Sequence, residues 1–184
     1  MGLEFKVEVK GGTMVMCSRD SMTTYHPLTN IDSVISILSQ ISVWGGLTGE
    51  QQEKIYQRLE VGTFKKGEYV FRKGDQPSHI YILKSGKIDL LTSDQDVSVQ
   101  KETLETGGCF GVAALMAMQV HMVTAIAAED TEVMVLSREA LLGLLHEDIE
   151  LFALLMMNIA REIARRLKLT DDILLQYVRK HKDW

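Results

Sequence analysis

The segment from Gly107 to Thr124, GGCFGVAALMAMQVHMVT, holds the residues of this chain best suited to binding chemistry. Residues 110–118 are rich in Ala and Met and poor in β-branching, so they are expected to form one or two helical turns. A short helix opening after Gly111 turns its free backbone N–H groups and a partial positive charge towards an anion. A glycine at that point lets the backbone approach a ligand closely. Reaction chemistry is absent: the chain has no nucleophile elbow, Walker loop or clustered carboxylates, and Gly107-Gly108-Cys109 lacks the following Lys-Ser/Thr of a phosphate loop.

The two cysteines, Cys17 and Cys109, are far apart and match no metal or disulfide spacing, which points to a reducing cytoplasm. Cys109 reads better as a small buried hydrophobe than as a redox-sensing thiol, and a haem role for His79, His121 or Cys109 has less support still. The chain of 184 residues is 46% apolar and carries a net charge of −5. Residues 31–160 hold ten Lys/Arg against eighteen Asp/Glu, whereas residues 161–184 hold seven against four. That acidic body argues against a nucleic-acid surface, and the basic tail reads as a solvated helix face. No apolar run is long enough to span a membrane, and no basic region followed by an apolar run marks a signal peptide. Met1-Gly2 is not a myristoylation signal, because Lys6 stands where Ser or Thr is required. Met14, Met16 and Met22 offer at most a partner-facing surface.

The elements that position this segment follow from periodicity. Residues 3–9 alternate around Gly11-Gly12 with residues 13–16, which predicts a β-hairpin, and residues 18–28 read as a linker. Thr29 and Asp32 open a helix whose apolar positions run to Ile41. Trp44 to Leu47 break it, and Thr48 with Gln51 form a capping box for a second helix through about Leu59. Short strands are expected at 61–65, 69–72, 79–84, 87–92, 97–104, 123–128 and 131–136, with Ser85-Gly86 as a tight hairpin turn. Ser137 is an N-cap for a helix from Arg138 to about His146. A long helix begins near Glu147 and is apolar on more than one side. Leu154, Met157 and Ile163 are candidates for a dimer contact, and Thr170-Asp171-Asp172 suggests a kink before about His181.

Helices, a small barrel interrupted by a helical turn, and then a long helix: this order resembles the cyclic-nucleotide-binding domain family, over about residues 30–168. The strings KKGEYVFRKGD (65–75) and IYILKSGKIDLL (80–91) resemble its strand signatures, and GGCFGVAAL (107–115) resembles its phosphate-binding cassette. The resemblance implies a mainly β chain, a double-stranded β-helix (jelly-roll) barrel with N-terminal helices and a long C-terminal helix. It divides the chain into an arm and linker at 1–28, the barrel with its flanking helices at 29–146, and a dimerisation helix at 147–184. It also implies ligand-binding residues Phe110, Gly111, Val112, Ala113, Ala114, His121 and Met122. The implied ligand is cAMP, cGMP or another phosphate-bearing small molecule; no cofactor is fixed by the sequence.

In the family, a Glu after the cassette glycine accepts the ribose 2′-hydroxyl and an Arg nine residues on neutralises the cyclic phosphate. Val112 and His121 hold those two positions here, and Met122 replaces a small or hydroxyl residue. A charged hydrogen bond and one member of a buried ion pair together contribute about 3–8 kcal/mol. Micromolar affinity amounts to about 8 kcal/mol, so cyclic-nucleotide binding is expected to be weak or altered. His121, with an ordinary pKa near 6.5, is mostly neutral at pH 7, and a phosphate beside it would raise that pKa and favour binding in acid. The expected function is a cytoplasmic sensor in signal transduction, dimeric through its C-terminal helix and acting on an unknown protein effector. It is not an enzyme, and neither nucleic acid nor membrane is its partner: the residues after Thr170 leave no room for a recognition helix. The alternative is a ligand-free dimerisation and interaction module.

Overall fold

The computed structural model describes residues 7–9, 24–29, 34, 37, 41–94 and 97–180. In chain order these form β1 (Val7–Val9), β2 (His26–Pro27), a 3-10 turn at Ser42–Trp44, α1 (Gly49–Tyr56), β3 (Leu59–Phe64) and β4 (Tyr69–Phe71). Then come β5 (His79–Ser85), β6 (Ile88–Asp94), β7 (Val97–Leu104), β8 (Cys109–Phe110) and α2 (Val112–Ala117). The chain continues through β9 (Thr124–Ala127), β10 (Thr131–Ser137), α3 (Arg138–Glu147) and α4 (Ile149–Lys180). Two antiparallel sheets, β1-β7-β6-β9-β4 and β2-β3-β10-β5-β8, face each other in a jelly-roll sandwich.

Strands β5 and β10 show why the sequence reads IYIL and VMVL without polar interruption. Tyr81, Leu83, Val133 and Val135 turn inward against Phe64 and Phe71 of the sandwich interior. Their neighbours Ile80, Ile82, Met134 and Leu136 point the other way, into a second core made with α3 and α4. A strand covered on both faces loses its alternation, because neither side meets water. The helices are therefore part of the core itself, and α4 packs through Leu151, Leu155 and Ile159.

The strand bounds expected from sequence match closely, and the helical turn at 112–117 lies inside the predicted 110–118 segment. The Thr48 capping box is present: Thr48 Oγ1 accepts from the Gln51 N–H at 3.2 Å, and Gln51 Oε1 accepts from the Thr48 N–H at 3.0 Å. Likewise Ser137 Oγ accepts from the Ala140 N–H at 3.0 Å.

Four expectations need correction. Ser85-Gly86 is not a hairpin turn: β5 and β6 belong to different sheets, and the chain crosses between them there. Gly86 is required because its φ is +87° and a Cβ would lie 2.5 Å from Thr131 Oγ1. Helix α1 ends at Tyr56, since Leu59 is buried as the first residue of β3. The linker contains β2, which pairs His26 with Val61 and Pro27 with Glu60. Finally, α4 does not break at Thr170. The Thr170 hydroxyl donates to the Arg166 carbonyl at 2.9 Å, an i−4 bond compatible with a continuing helix. Within the predicted N-terminal hairpin, Val7–Val9 is a strand that pairs with β7; its other half, and most of the predicted 29–41 helix, lie outside the described residues.

Candidate ligand-binding cavity

The short strand β8 and helix α2 are fixed by contacts that only glycine allows. Gly107 N–H donates to the Leu83 carbonyl and Leu83 N–H to the Gly108 carbonyl, both at 2.8 Å, which ties the approach to β5. At Gly108 a Cβ would stand 2.9 Å from the Glu105 carbonyl oxygen. Gly111 is left-handed (φ +78°), and a Cβ there would sit 2.7 Å from the Tyr81 ring. That conformation swings the chain from β8 into α2 directly over the aromatic floor. Phe71 and Phe110 form this floor, with Tyr81 packed on both, and the ring centroids are 5.1–6.0 Å apart.

Helix α2 ends at Met118, a left-handed non-glycine residue with φ +53°. The chain then returns to sheet one through His121. Its backbone N–H donates to the Asp75 carbonyl at 2.9 Å, and its carbonyl accepts from the Gly74 N–H at 2.8 Å. The imidazole stacks on Phe71 with centroids 3.7 Å apart and planes 11° from parallel. It is 2% exposed, and its Nε2 has no hydrogen-bond partner. Burial lowers its pKa below 6.5, with the nearby Asp75 charge opposing this. The side chain at this position is therefore neutral at pH 7.

Helix α4 roofs the resulting cavity, whose volume is about 450 Å³. All seven residues expected at the site line it: Phe110, Gly111 and Val112, then Ala113 and Ala114, then His121 and Met122. Their surroundings differ. Phe110 and Val112 are buried, with Val112 also packing into the helical core, whereas Met122 is 65% exposed at the mouth. Among the described residues no cluster of His, Cys, Asp or Glu is arranged for a metal ion. Burial pushes the Cys109 thiol up to about 12, only partly offset by Arg166, so it stays protonated and unreactive.

The reading of the sequence missed the groups that hold α4 over this cavity. Arg166 lines the cavity and donates through Nη2 to the Cys109 carbonyl in β8, while its Nε donates to Glu162 Oε1 at 2.9 Å. Glu162 Oε2 accepts from Ser42 Oγ at 2.8 Å. One turn earlier, Asn158 Nδ2 donates to the carbonyls of Val43 and Gly45 at 3.0 and 2.8 Å. A polar chain thus runs from the 3-10 turn through α4 to β8 at the cavity. Its signal in the sequence is slight: Asn158 and Glu162 sit one turn apart beside the buried stripe of Leu151, Leu155 and Ile159.

Comparison with known proteins agrees with this fold. The family model described as the cyclic nucleotide-binding domain matches residues 61–148. A cGMP-dependent protein kinase of Plasmodium berghei is 32% identical over 112 residues, 61% of this chain and 13% of the kinase. The cyclic AMP receptor protein of Thermus thermophilus is 30% identical over 129 residues, covering 68% of this chain and 57% of the receptor. The chain thus spans less than two thirds of either relative. A cyclic nucleotide-binding domain from Methylobacillus flagellatus superposes with a TM-score of 0.71 at 16% identity, over 79% of this chain and 83% of that one, a likeness of fold. Residues 61–148 thus carry the chain's similarity to the cyclic nucleotide-binding domain family.

Proposed function

We propose that this domain is a regulatory sensor, not a catalyst, which binds cyclic nucleotides weakly or in altered form and passes its state to a protein effector through α4. The observation that carries the reading is His121, a neutral imidazole stacked on Phe71 where the family resemblance places the arginine. Val112 likewise brings an apolar side chain to the position of the ribose-binding glutamate. A cyclic phosphate entering this cavity meets no cation from the cassette, and an uncompensated buried charge costs several kcal/mol (order of magnitude). The helix α2 still offers its amino end, so the scaffold for a ligand is kept.

Output through α4 is supported by the polar chain joining it to the cassette. Beyond the barrel, Ala160, Ile163, Leu167, Thr170 and Leu174 recur at alternating three and four spacing, the period of a two-helix seam. Leu167 and Leu174 are 62% and 58% exposed, and Met157 is half-exposed, whereas Leu154 and Ile163 are half-buried against the protein's own core. We therefore assign the seam of a homodimer to the Leu167–Leu174 face, in a cytoplasmic setting without nucleic-acid or membrane contact. Among the described residues no helix is long and apolar enough to cross a membrane.

Calorimetric titration with cAMP and cGMP tests the reading. Dissociation constants near or above about 1 mM are expected, and micromolar binding would overturn it. Light scattering tests the seam: a dimer is expected for the unmodified chain and a monomer for Leu167→Glu/Leu174→Glu.

A further inference from the structure

We infer that the cavity takes an uncharged, largely apolar small molecule, clamped between the aromatic floor and α4. This rests on the assignment of the cassette given above. The floor is Phe71 and Phe110, the side wall is Val112 with the alanines of α2, and Ile163, Leu167 and Ile173 descend from α4. The volume of about 450 Å³ falls within the range that holds a small organic ligand. Four charged side chains are among the lining residues: Arg166 is paired with Glu162, and Lys101 and Glu102 of β7 bring one charge of each sign. Glu162 is further occupied by Ser42, and Arg166 by the Cys109 carbonyl. The guanidinium at the lining is thus already taken up by Glu162 and the Cys109 carbonyl, and most of the other lining side chains are apolar. An apolar ligand loses no hydration that the walls must replace, and contact with Ile163, Leu167 and Ile173 draws α4 onto it.

The probe is N-phenyl-1-naphthylamine, a neutral aromatic amine whose emission rises in apolar surroundings. Saturable binding of one probe per chain is expected, with a dissociation constant of about 10 μM or tighter. 8-Anilinonaphthalene-1-sulfonate, a related ring system carrying a sulfonate, should bind at least about tenfold more weakly. Ala117→Trp fills the cavity from an exposed position on α2 and should weaken the neutral probe by at least about tenfold. Val120→Trp does the same from the following loop should the first variant not fold. Leu142→Glu, on the exposed face of α3, removes surface apolar area and should leave binding unchanged. The inference is overturned if the neutral probe does not saturate, if the sulfonate binds as tightly, or if a folded Trp variant binds as the parent does. Val112→Glu/His121→Arg separates this from the reading beneath it. If that variant gains cAMP binding while the parent ignores the neutral probe, the ligand class falls and the cassette assignment stands. If it gains none, the cassette assignment itself has failed.

Discussion

Replacing Glu162 by alanine removes the centre of the polar chain between α4, the 3-10 turn and the cassette. The residue is 8% exposed, and its carboxylate accepts from Ser42 Oγ, Arg166 Nε and Arg165 Nη1. Burial alone would raise its pKa, but the Ser42 and Arg166 hydrogen bonds and the charges of Arg166 and Arg165 outweigh that and hold it below the ordinary carboxylate value. A hydrogen bond to a charged group contributes about 1.5–3 kcal/mol, so Ser42 and Arg166 together supply about 3–6 kcal/mol. The Arg165 side chain is 60% exposed and adds between nothing and about 1 kcal/mol. Desolvation of the carboxylate, itself several kcal/mol, offsets about half of the total. The expected net loss is therefore about 2–3 kcal/mol, which at about 2–4 °C per kcal/mol lowers Tm by about 4–12 °C. Thermal melts followed by circular dichroism measure this, and amide hydrogen exchange over residues 163–173 should quicken in the same variant as α4 loosens. A double-mutant cycle with Ser42→Ala should return a coupling of about 1 kcal/mol. A melting temperature within about 2 °C of the parent, with unchanged exchange in α4, would refute the reasoning.

The other expectations concern the cassette. Gly111→Ala places a Cβ against the Tyr81 ring in a left-handed backbone, and should cost at least about 1–2 kcal/mol, read as a fall in Tm. Stability should also depend on pH through His121. Its pKa is lowered in the folded chain by burial, so the fold favours the neutral ring. That contribution is complete above pH 6.5 and is lost as the pH falls through the depressed folded value. Urea unfolding between pH 8 and pH 5 should show His121→Gln losing less stability than the parent, by at most about 1.4 kcal/mol per pH unit. Parallel curves for the two would contradict it. Burial lowers the pKa of His79 too, against the charges of Glu60 and Glu139, so His79→Gln should show a flattening of the same sign.

Much of this architecture was legible because strands and caps are local. The alternation of the short strands set their bounds closely, and the Thr48 and Ser137 caps formed as written. Strand β8 escaped notice because two residues, Cys109 and Phe110, carry no period. Gly86 misled because a left-handed glycine serves a sheet-to-sheet crossing as well as a hairpin, and only the closeness of Thr131 separates the two. At the cavity, the position of His121 was readable, but not its stacking on Phe71, fifty residues away in the chain. The Ser42–Glu162–Arg166–Cys109 chain was beyond sequence reasoning, since it joins residues from three distant segments that only the packing of α4 brings together.

We propose that this cavity is a cyclic-nucleotide cassette emptied of its two ligand-binding charges at Val112 and His121. The most direct test is calorimetric titration of folded Val112→Glu/His121→Arg with cAMP, beside His121→Arg alone and the unmodified chain. A gain of at least about a hundredfold in affinity is expected for the double variant, with part of it already present in the single one. A folded double variant that binds cAMP no better than the parent would contradict it.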